Sequence, residues 1–461
     1  MHKLTALLAL ILSFTSYSQS PAGTWYGELN VYGNKLPLEV KIEGQKKNWT
    51  GEFLSPNQSD KATTLTNITF KKKMLAFETE TGGASYLGKV SDAEINGQFT
   101  QNGLSFPLIL TRKKPKSTRP QTPKKPFDYH SEDIEFENNK AEITLKGTFT
   151  RPKNEGKYPV VVLISGSGPQ DRNSNILGHK SFMVIADMLS NNGIAVLRFD
   201  DRGTAESEGD FSLATSYDFA EDVISAIDYL RTRPDIDTSK MGLIGHSEGG
   251  AIAPLVASTR PDVAFIILMA GTGVTGAEVL LKQQELILSK SGISEADLKS
   301  LKTINTGAYT IVKDAKDLKE QKEKLTEYFL KEYPNYPTML MGGSMSKEQF
   351  ANIQTNAISS IWMRTFLLFD PSQALETVQC PVLALNGTHD LQVDADQNLT
   401  AIENALNKAN NPSVTIKRFE GLNHLFQKSE TGLPNDYGKI EQTISPDVLI
   451  TMKDWILKTT K

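Results

Sequence analysis

Short stretches of alternating apolar and polar residues fill positions 22–111. Trp25-Tyr26-Gly27-Glu28-Leu29, Leu38-Glu39-Val40-Lys41-Ile42 and Trp49-Thr50-Gly51-Glu52-Phe53-Leu54 show the pattern, and Thr66 to Phe70, Leu75 to Glu78 and Phe106 to Thr111 continue it. A period of two, broken by Gly, Asn and Asp, predicts antiparallel strands. About eight strands in roughly 90 residues predict a small all-β barrel or sandwich over residues 19–111. No catalytic chemistry is legible there. Trp25, Trp49, Phe53 and Phe77 could line a ligand cavity, but packed core is the simpler assignment.

Residues 112–127 carry four prolines (115, 120, 123 and 126) and seven basic side chains, which predicts an extended, solvated linker. Beyond it the pattern changes. Glu132 to Phe136 and Glu142 to Thr150 predict a strand pair turning at Asn138-Asn139. Val160 to Ile164, Ile194 to Phe199, Met241 to Gly245 and Phe265 to Met269 are continuous apolar runs, the mark of strands covered on both faces. Helical patterns separate them at Phe182 to Leu189, Tyr217 to Arg231 and Gly249 to Ser258. Strand alternating with helix predicts a largely parallel sheet. Residues 275–378 interrupt this with helices at Glu278 to Lys290, Glu295 to Asn305, Asp317 to Tyr333 and Lys347 to Phe369. Strands return at Val382 to Leu385 and Val414 to Phe419, and a helix closes the chain from Pro446 to Lys458.

Composition narrows the function classes. The 461 residues carry 50 basic and 54 acidic side chains, a net charge of −4. No global basic field exists to hold nucleic acid. The single cysteine, Cys380, rules out an internal disulfide and any multi-cysteine metal site. It precedes an apolar run and reads as a small buried residue at a strand start. Met1-His2-Lys3, the apolar stretch Leu4 to Leu12 and a Ser/Thr-rich segment predict a signal peptide over residues 1–18, with Ser16 and Ser18 before a cut at Gln19. The apolar stretch is too short to span a bilayer, and no later one reaches the ~18 residues of a span. The expectation is an exported protein, periplasmic or secreted, with no stable membrane anchor.

Gly245-His246-Ser247-Glu248-Gly249 matches G-x-S-x-G between an apolar strand and a helical pattern. That is the setting of a nucleophile elbow, where small residues flank a serine on a strained turn. A serine hydroxyl needs a base, and the base an orienting acid. In such sheets the acid and then the histidine follow the serine, each just past a strand end. Asp390 follows the strand ending at Leu385, with Asp394 and Asp396 as alternatives; His424 follows the strand ending at Phe419. Of the six histidines only His424 has this order and position. The glycine-rich loop Ser165-Gly166-Ser167-Gly168 after Val160 to Ile164 can turn a backbone N–H inward. The N–H groups of Ser167 and Glu248 are the expected oxyanion donors. Arg202, after another strand, is expected to pair with Asp171 or Asp201. No histidine pair has ligand spacing and no phosphate-cradling lysine loop occurs, so neither a metal nor a cofactor is expected.

These residues carry a resemblance. Gly166-Ser167-Gly168-Pro169-Gln170-Asp171-Arg172, Leu197-Arg198-Phe199-Asp200-Asp201-Arg202-Gly203, Gly242 to Gly250, Ala253-Pro254 and Gly387-Thr388-His389-Asp390 resemble α/β-hydrolase-fold serine hydrolases. The similarity is to esterase D-type bacterial carboxylesterases and serine aminopeptidase-like hydrolases, over residues 128–461. It implies an α/β-hydrolase domain, a triad of Ser247, Asp390 and His424, and a cap at residues 275–378. Two departures stand out: Ser165 replaces a histidine common in relatives, and Gly203 to Ser207 lacks a second glycine. The front β-domain resembles a module that accompanies such hydrolases in secreted bacterial proteins. The expected activity is hydrolysis of small carboxylic esters, of short acyl chain, through an acyl-enzyme. Its rivals are a peptidase releasing N-terminal residues, with Glu248, Glu278 or Glu285 anchoring the free amine, an acyltransferase, and a non-enzymatic binding protein.

Overall fold

The computed structural model describes residues 20–31, 34–45, 48–56, 62–101, 103–114, 119–341 and 345–461. The expected signal peptide at 1–18 lies outside them. The chain divides into two units, Met1–Lys116 and Ser117–Lys461.

In the first unit the alternating pattern becomes eight antiparallel strands. They are β1 (Gly23–Val31), β2 (Asn34–Gln45), β3 (Asn48–Leu54), β4 (Thr63–Lys71), β5 (Met74–Thr79), β6 (Ala84–Val90), β7 (Glu94–Gln101) and β8 (Leu104–Thr111). Pairing of β1 with β8 closes them into a barrel. Every second side chain points inward, so Val40 and Ile42 of β2, Leu75 and Phe77 of β5, and Leu108 and Leu110 of β8 are buried. Of the four aromatics that could have lined a cavity, Trp25 and Phe77 belong to the core, and Trp49 and Phe53 pack against it. Tyr86 stacks on Phe77 at 5.2 Å, and its hydroxyl lies 3.1 Å from the carbonyls of Ile95 and Leu108. Arg112 lies over the Trp25 ring at 3.4 Å and donates to the Ala22 and Thr24 carbonyls.

The segment expected as a solvated linker is therefore bonded at its first residue. It is bonded again further on, within the second unit. Arg119 donates to the carbonyls of Leu177, Gly438 and Ile440, and Gln121 bonds Thr443 and Ile444. Backbone carbonyls accept from Arg119 and Gln121, and backbone N–H groups donate to Gln121, side chains that charge and proline content had assigned to water.

The second unit is built on an eight-stranded sheet. Its strands are β9 (Tyr129–Asn138), β10 (Ile143–Pro152), β11 (Tyr158–Ile164), β14 (Ala195–Phe199), β15 (Ile236–His246), β16 (Phe265–Met269), β17 (Val382–Gly387) and β18 (Val414–Phe419); β12 (Asn175–Ile176) and β13 (His179–Lys180) form a separate hairpin. The order is β18-β17-β16-β15-β11-β14-β10-β9. Six strands are parallel, and β9 and β10 add an antiparallel edge. Val160, Val162 and Ile164 of β11 face one layer, with α2 (Ser216–Arg231), α3 (Glu248–Ala257) and α10 (Ala395–Lys408). Val161 and Leu163 face the other, with α1 (Ser181–Ser190) and α11 (Pro446–Thr459). From β11 the chain runs to β14 on one side and β15 on the other. Loops at the carboxyl ends of β11 and β15 thus flank the point where strand order reverses, the place where open α/β sheets receive ligands.

Between β16 and β17 lies a helical insertion. It comprises α4 (Gly276–Ser289), α5 (Glu295–Asp314), α6 (Leu318–Glu332), α7 (Lys347–Ala357), α8 (Ile361–Leu368) and α9 (Ser372–Leu375). Its own core joins Ile304, Leu325, Phe329, Phe350 and Leu367. The helix expected over Lys347 to Phe369 is two helices. Ser360 caps the second by accepting from the Met363 N–H, so the chain turns there. No helix among the described residues is long and apolar enough to cross a membrane.

Phe77 tests the barrel core. Phe77→Ala should lower barrel stability by about 3–5 kcal/mol, the cost of a large cavity in a close-packed interior. Denaturant unfolding of the full chain followed by tryptophan fluorescence measures it.

Candidate active site

Ser247 stands between β15 and α3 with φ 56° and ψ −119°, outside the conformations a serine ordinarily adopts. Its N–H donates to the Met269 carbonyl at 2.9 Å. The turn exists because its neighbours lack side chains. A Cβ on Gly245 would lie 1.9 Å from the Gly249 carbonyl oxygen, and one on Gly249 would lie 2.3 Å from that of Ile164. The expected elbow is present, and the N-terminus of α3 is directed at it.

The loop after β11 passes directly beside the serine. A Cβ on Gly166 would sit 3.0 Å from the Ser247 Cβ and 3.2 Å from the His246 carbonyl oxygen, so only a glycine lets the loop approach this closely. Two bonds pin the loop to the end of β14. Arg172 makes a two-pronged pair with Asp200 at 3.0 and 2.5 Å. Asp201 accepts from the Gln170 N–H at 2.9 Å and lies 2.5 Å from Ser165 Oγ. Arg202 does not pair with Asp171 or Asp201 as expected. It binds Asp222 at 2.7 and 2.8 Å and the Asp218 carbonyl, because α2 carries both residues past the strand end.

His424 Nδ1 lies 2.7 Å from Asp390 Oδ2, and both side chains are buried. The other Asp390 oxygen accepts from the N–H groups of Gln392 and Val393, which fixes the carboxylate. The two alternative acids are occupied elsewhere. Asp394 caps α10 through the Gln397 N–H, and Asp396 pairs with Arg418 on the surface. Bonding of Nδ1 to Asp390 leaves Nε2 as the nitrogen available for proton transfer. Two further histidines have partners of their own. His179 is buried against Thr443, the Tyr437 carbonyl and Gln427, with burial and nearby Arg119 pushing it down to about 4. His389 bonds the Ser429 carbonyl.

Two contacts were not foreseen. His246 Nε2 lies 2.9 Å from the His424 carbonyl, and the rings are 4.8 Å apart. A carbonyl only accepts, so Nε2 carries the proton. Burial, with His424 beside it, pushes His246 down to about 3, which keeps the ring neutral. The residue before Ser247 thus ties the serine's turn to the loop of the expected base. Glu248 is the second. Its carboxylate accepts from Ser216 Oγ at 2.6 Å and from Trp362 Nε1 of α8 at 3.0 and 3.2 Å. Burial raises its pKa. The insertion is therefore bonded to the residue after the serine. His246 was legible only as an adjacent histidine, and nothing in the sequence around Trp362 pointed to Glu248.

Among the described residues no group of three or more His, Cys, Asp or Glu is placed to hold a metal ion. Cys380 is half-buried, and burial pushes its thiol up to about 11.

The sheet order, the strained serine between β15 and α3, and the helical insertion before β17 define an α/β-hydrolase. Residues 142–418, more than half of the chain, match the model of the X-Pro dipeptidyl-peptidase (S15) family. The chain belongs to that family and is a hydrolase; the matched span holds Ser247 and Asp390 and ends shortly before His424. The esterase EstD of Thermotoga maritima is 25% identical over 432 residues, covering 93% of this chain and 91% of its own. An uncharacterized 31.7 kDa protein from the traX-finO intergenic region of Escherichia coli is 25% identical over 245 residues, 53% of this chain and 76% of its own. The solved structure of Est1E from Butyrivibrio proteoclasticus with ferulic acid bound is 15% identical, with a TM-score of 0.41 over 71% of this chain and 99% of its own.

The elbow and its brace make two predictions. Gly245→Ala should cost about 1–3 kcal/mol through overpacking against backbone, and turnover should drop at least about tenfold as Ser247 shifts. Thermal unfolding and steady-state kinetics read these. His246→Leu should leave the buried His424 carbonyl unpaired, a penalty of about 1–3 kcal/mol. It should lower kcat about tenfold and change KM less than about threefold, measured on any accepted ester.

Proposed function

We propose that this protein is an exported serine hydrolase that cleaves carboxylic esters of short acyl chain. The observation that carries the reading is the buried His424–Asp390 hydrogen bond at 2.7 Å, braced through His246 to the strained turn at Ser247. In the proposed mechanism His424 Nε2 takes the proton of Ser247, whose Oγ attacks the acyl carbonyl. Asp390 orients the ring and stabilises the imidazolium. The N–H groups of Ser167 and Glu248 hold the oxyanion. The alcohol leaves with the proton from His424, and water then releases the acid by the same route. Export rests on the basic start and short apolar stretch of the sequence. The likeness to the esterase EstD over nearly the whole chain supports the ester reading.

A peptidase acting at free N-termini is the second reading, favoured by the S15 family match. Such an enzyme needs an anion for the substrate amine. The three acids considered for this all have partners. Glu248 is 3% exposed and bound to Ser216 and Trp362; Glu278 closes the capping box of α4 with Thr275; Glu285 pairs with Lys282 and Lys302. These contacts weigh toward esters.

The test is hydrolysis of p-nitrophenyl esters from acetyl to palmitoyl, with aminoacyl and X-Pro anilides in parallel. Activity should peak at short acyl chains, and Ser247→Ala should lower kcat at least about 10³-fold. Turnover of the anilides with none of the esters would establish the peptidase instead.

A further inference from the structure

Among the described residues no cation pairs with the buried carboxyl of Asp201. It is 7% exposed at the end of β14. Its Oδ2 accepts from the Gln170 N–H at 2.9 Å, its Oδ1 lies 2.5 Å from Ser165 Oγ, and its own N–H donates to the Gln170 carbonyl at 3.1 Å. These bonds reach the first and last residues of the loop Ser165–Gln170, inside which Gly166 passes beside Ser247. The Ser165 hydroxyl is the loop's first attachment to Asp201.

The surroundings of Asp201 disfavour charge. A cavity behind it is lined by Ile164, Phe199, Phe219, Val223 and Ile252, together with Asp222. The charged groups facing it are acidic: Asp222 from α2 and Glu248 from α3. The two arginines of the rim are engaged with other acids, Arg202 with Asp222 and Arg172 with Asp200. Burial accordingly pushes the Asp201 carboxyl up to about 8. With a proton on Oδ1 the carboxyl donates to Ser165 Oγ, and without it the Ser165 hydroxyl donates instead; Oδ2 accepts from the Gln170 N–H in both states.

We propose that Asp201 is a positioning residue for the reaction: its carboxyl clasps both ends of the loop that carries Ser167, and a negative charge on it weakens stabilisation of the oxyanion. The reason is electrostatic. The tetrahedral intermediate places negative charge at the loop's inner edge, and an unpaired carboxylate in an apolar setting behind that loop opposes it. The sign follows from the raised pKa. Below about 8 the group holds its proton and the loop is uncharged; as pH rises through 8 it ionises and turnover falls. The same shift makes a folding contribution that is complete below the ordinary carboxylate range and is lost as pH rises toward 8.

This rests on the serine mechanism and on Ser167 as donor, and the experiment separates the two. Profiles of kcat against pH from 6 to 9.5 on p-nitrophenyl acetate are compared for the wild type, Asp201→Asn, Asp201→Ala and Ser247→Ala. Asparagine keeps both bonds and cannot ionise. Asp201→Asn should match the wild type within about threefold at pH 7 and stay level to pH 9.5, where the wild type has lost about tenfold. Asp201→Ala should lose about tenfold in kcat at pH 7 with KM changed less than about threefold. An alkaline fall in Asp201→Asn equal to that of the wild type overturns the proposal, as does a wild type with no alkaline fall, or a folded Asp201→Ala with wild-type kcat. Turnover by Ser247→Ala overturns the underlying mechanism itself. An inactive Ser247→Ala beside an unchanged Asp201→Asn profile removes only the role of Asp201.

Discussion

The backbone of Ser247, at φ 56° and ψ −119°, is the constraint on which the rest of the site depends. A serine held there costs about 1–3 kcal/mol, which the surrounding structure has to offset. Direct backbone contact supplies the hold. Gly245 lies against the carbonyl of Gly249, and Gly249 against those of Ile164 and Ser165. Three elements meet with no side chain between them: the end of β15, the start of α3 and the end of β11. The serine is thereby presented above the sheet, beside Gly166 and at the start of a helix.

Around that turn the loops of the rim are joined by side chains reaching from one strand end to the next. His246 ties the turn to the loop after β18, Asp390 ties that loop to the one after β17, and Arg172 and Asp201 tie the loop after β11 to the end of β14. Glu248 bonds α8 of the insertion to the first residue of α3. Most of these groups are buried, so each bond is made in low dielectric and each lost partner would leave a polar atom without water. The consequence is a site whose geometry is shared among many contacts rather than held by any one loop. Behind it lies a second buried network, in which Gln427 links Asn423, next to His424, to His179. Gln121 joins through Thr443, so the segment preceding β9 contributes to the frame around His424.

Part of this arrangement is legible in the sequence. Ser247, Asp390 and His424 are singled out by their order along the chain and by each lying one loop past an apolar run, because a parallel sheet gathers its carboxyl ends on one edge. What escaped the sequence is instructive. Position favours Asp390 over Asp394 and Asp396 by only one turn; burial and the approach of His424 are what separate them. Arg202 was assigned to neighbours in its own loop and the adjacent one, whereas α2 delivers Asp222 from twenty residues on. His246 lacks the order and position expected of a catalytic histidine, and nothing local predicts its bond to the His424 carbonyl. The break between α7 and α8 was missed because apolar spacing continues through it and the capping role of Ser360 is visible only once the helix has turned.

By itself the sequence determined most of the strands and helices, which faces are apolar, and where a strained serine turn can form. These are local properties, set by side-chain period and by where glycine permits close approach. Tertiary structure decided the rest. The alternating strands of the first unit suited a barrel or a sandwich equally, and the pairing of Tyr26 with Thr111 made it a barrel. Whether a buried acid gains an arginine, as Asp222 does, or only a hydroxyl and an amide, as Asp201 does, depends on which distant element packs against it. Desolvation and partner geometry act through space rather than along the chain, and no local pattern of residues encodes them.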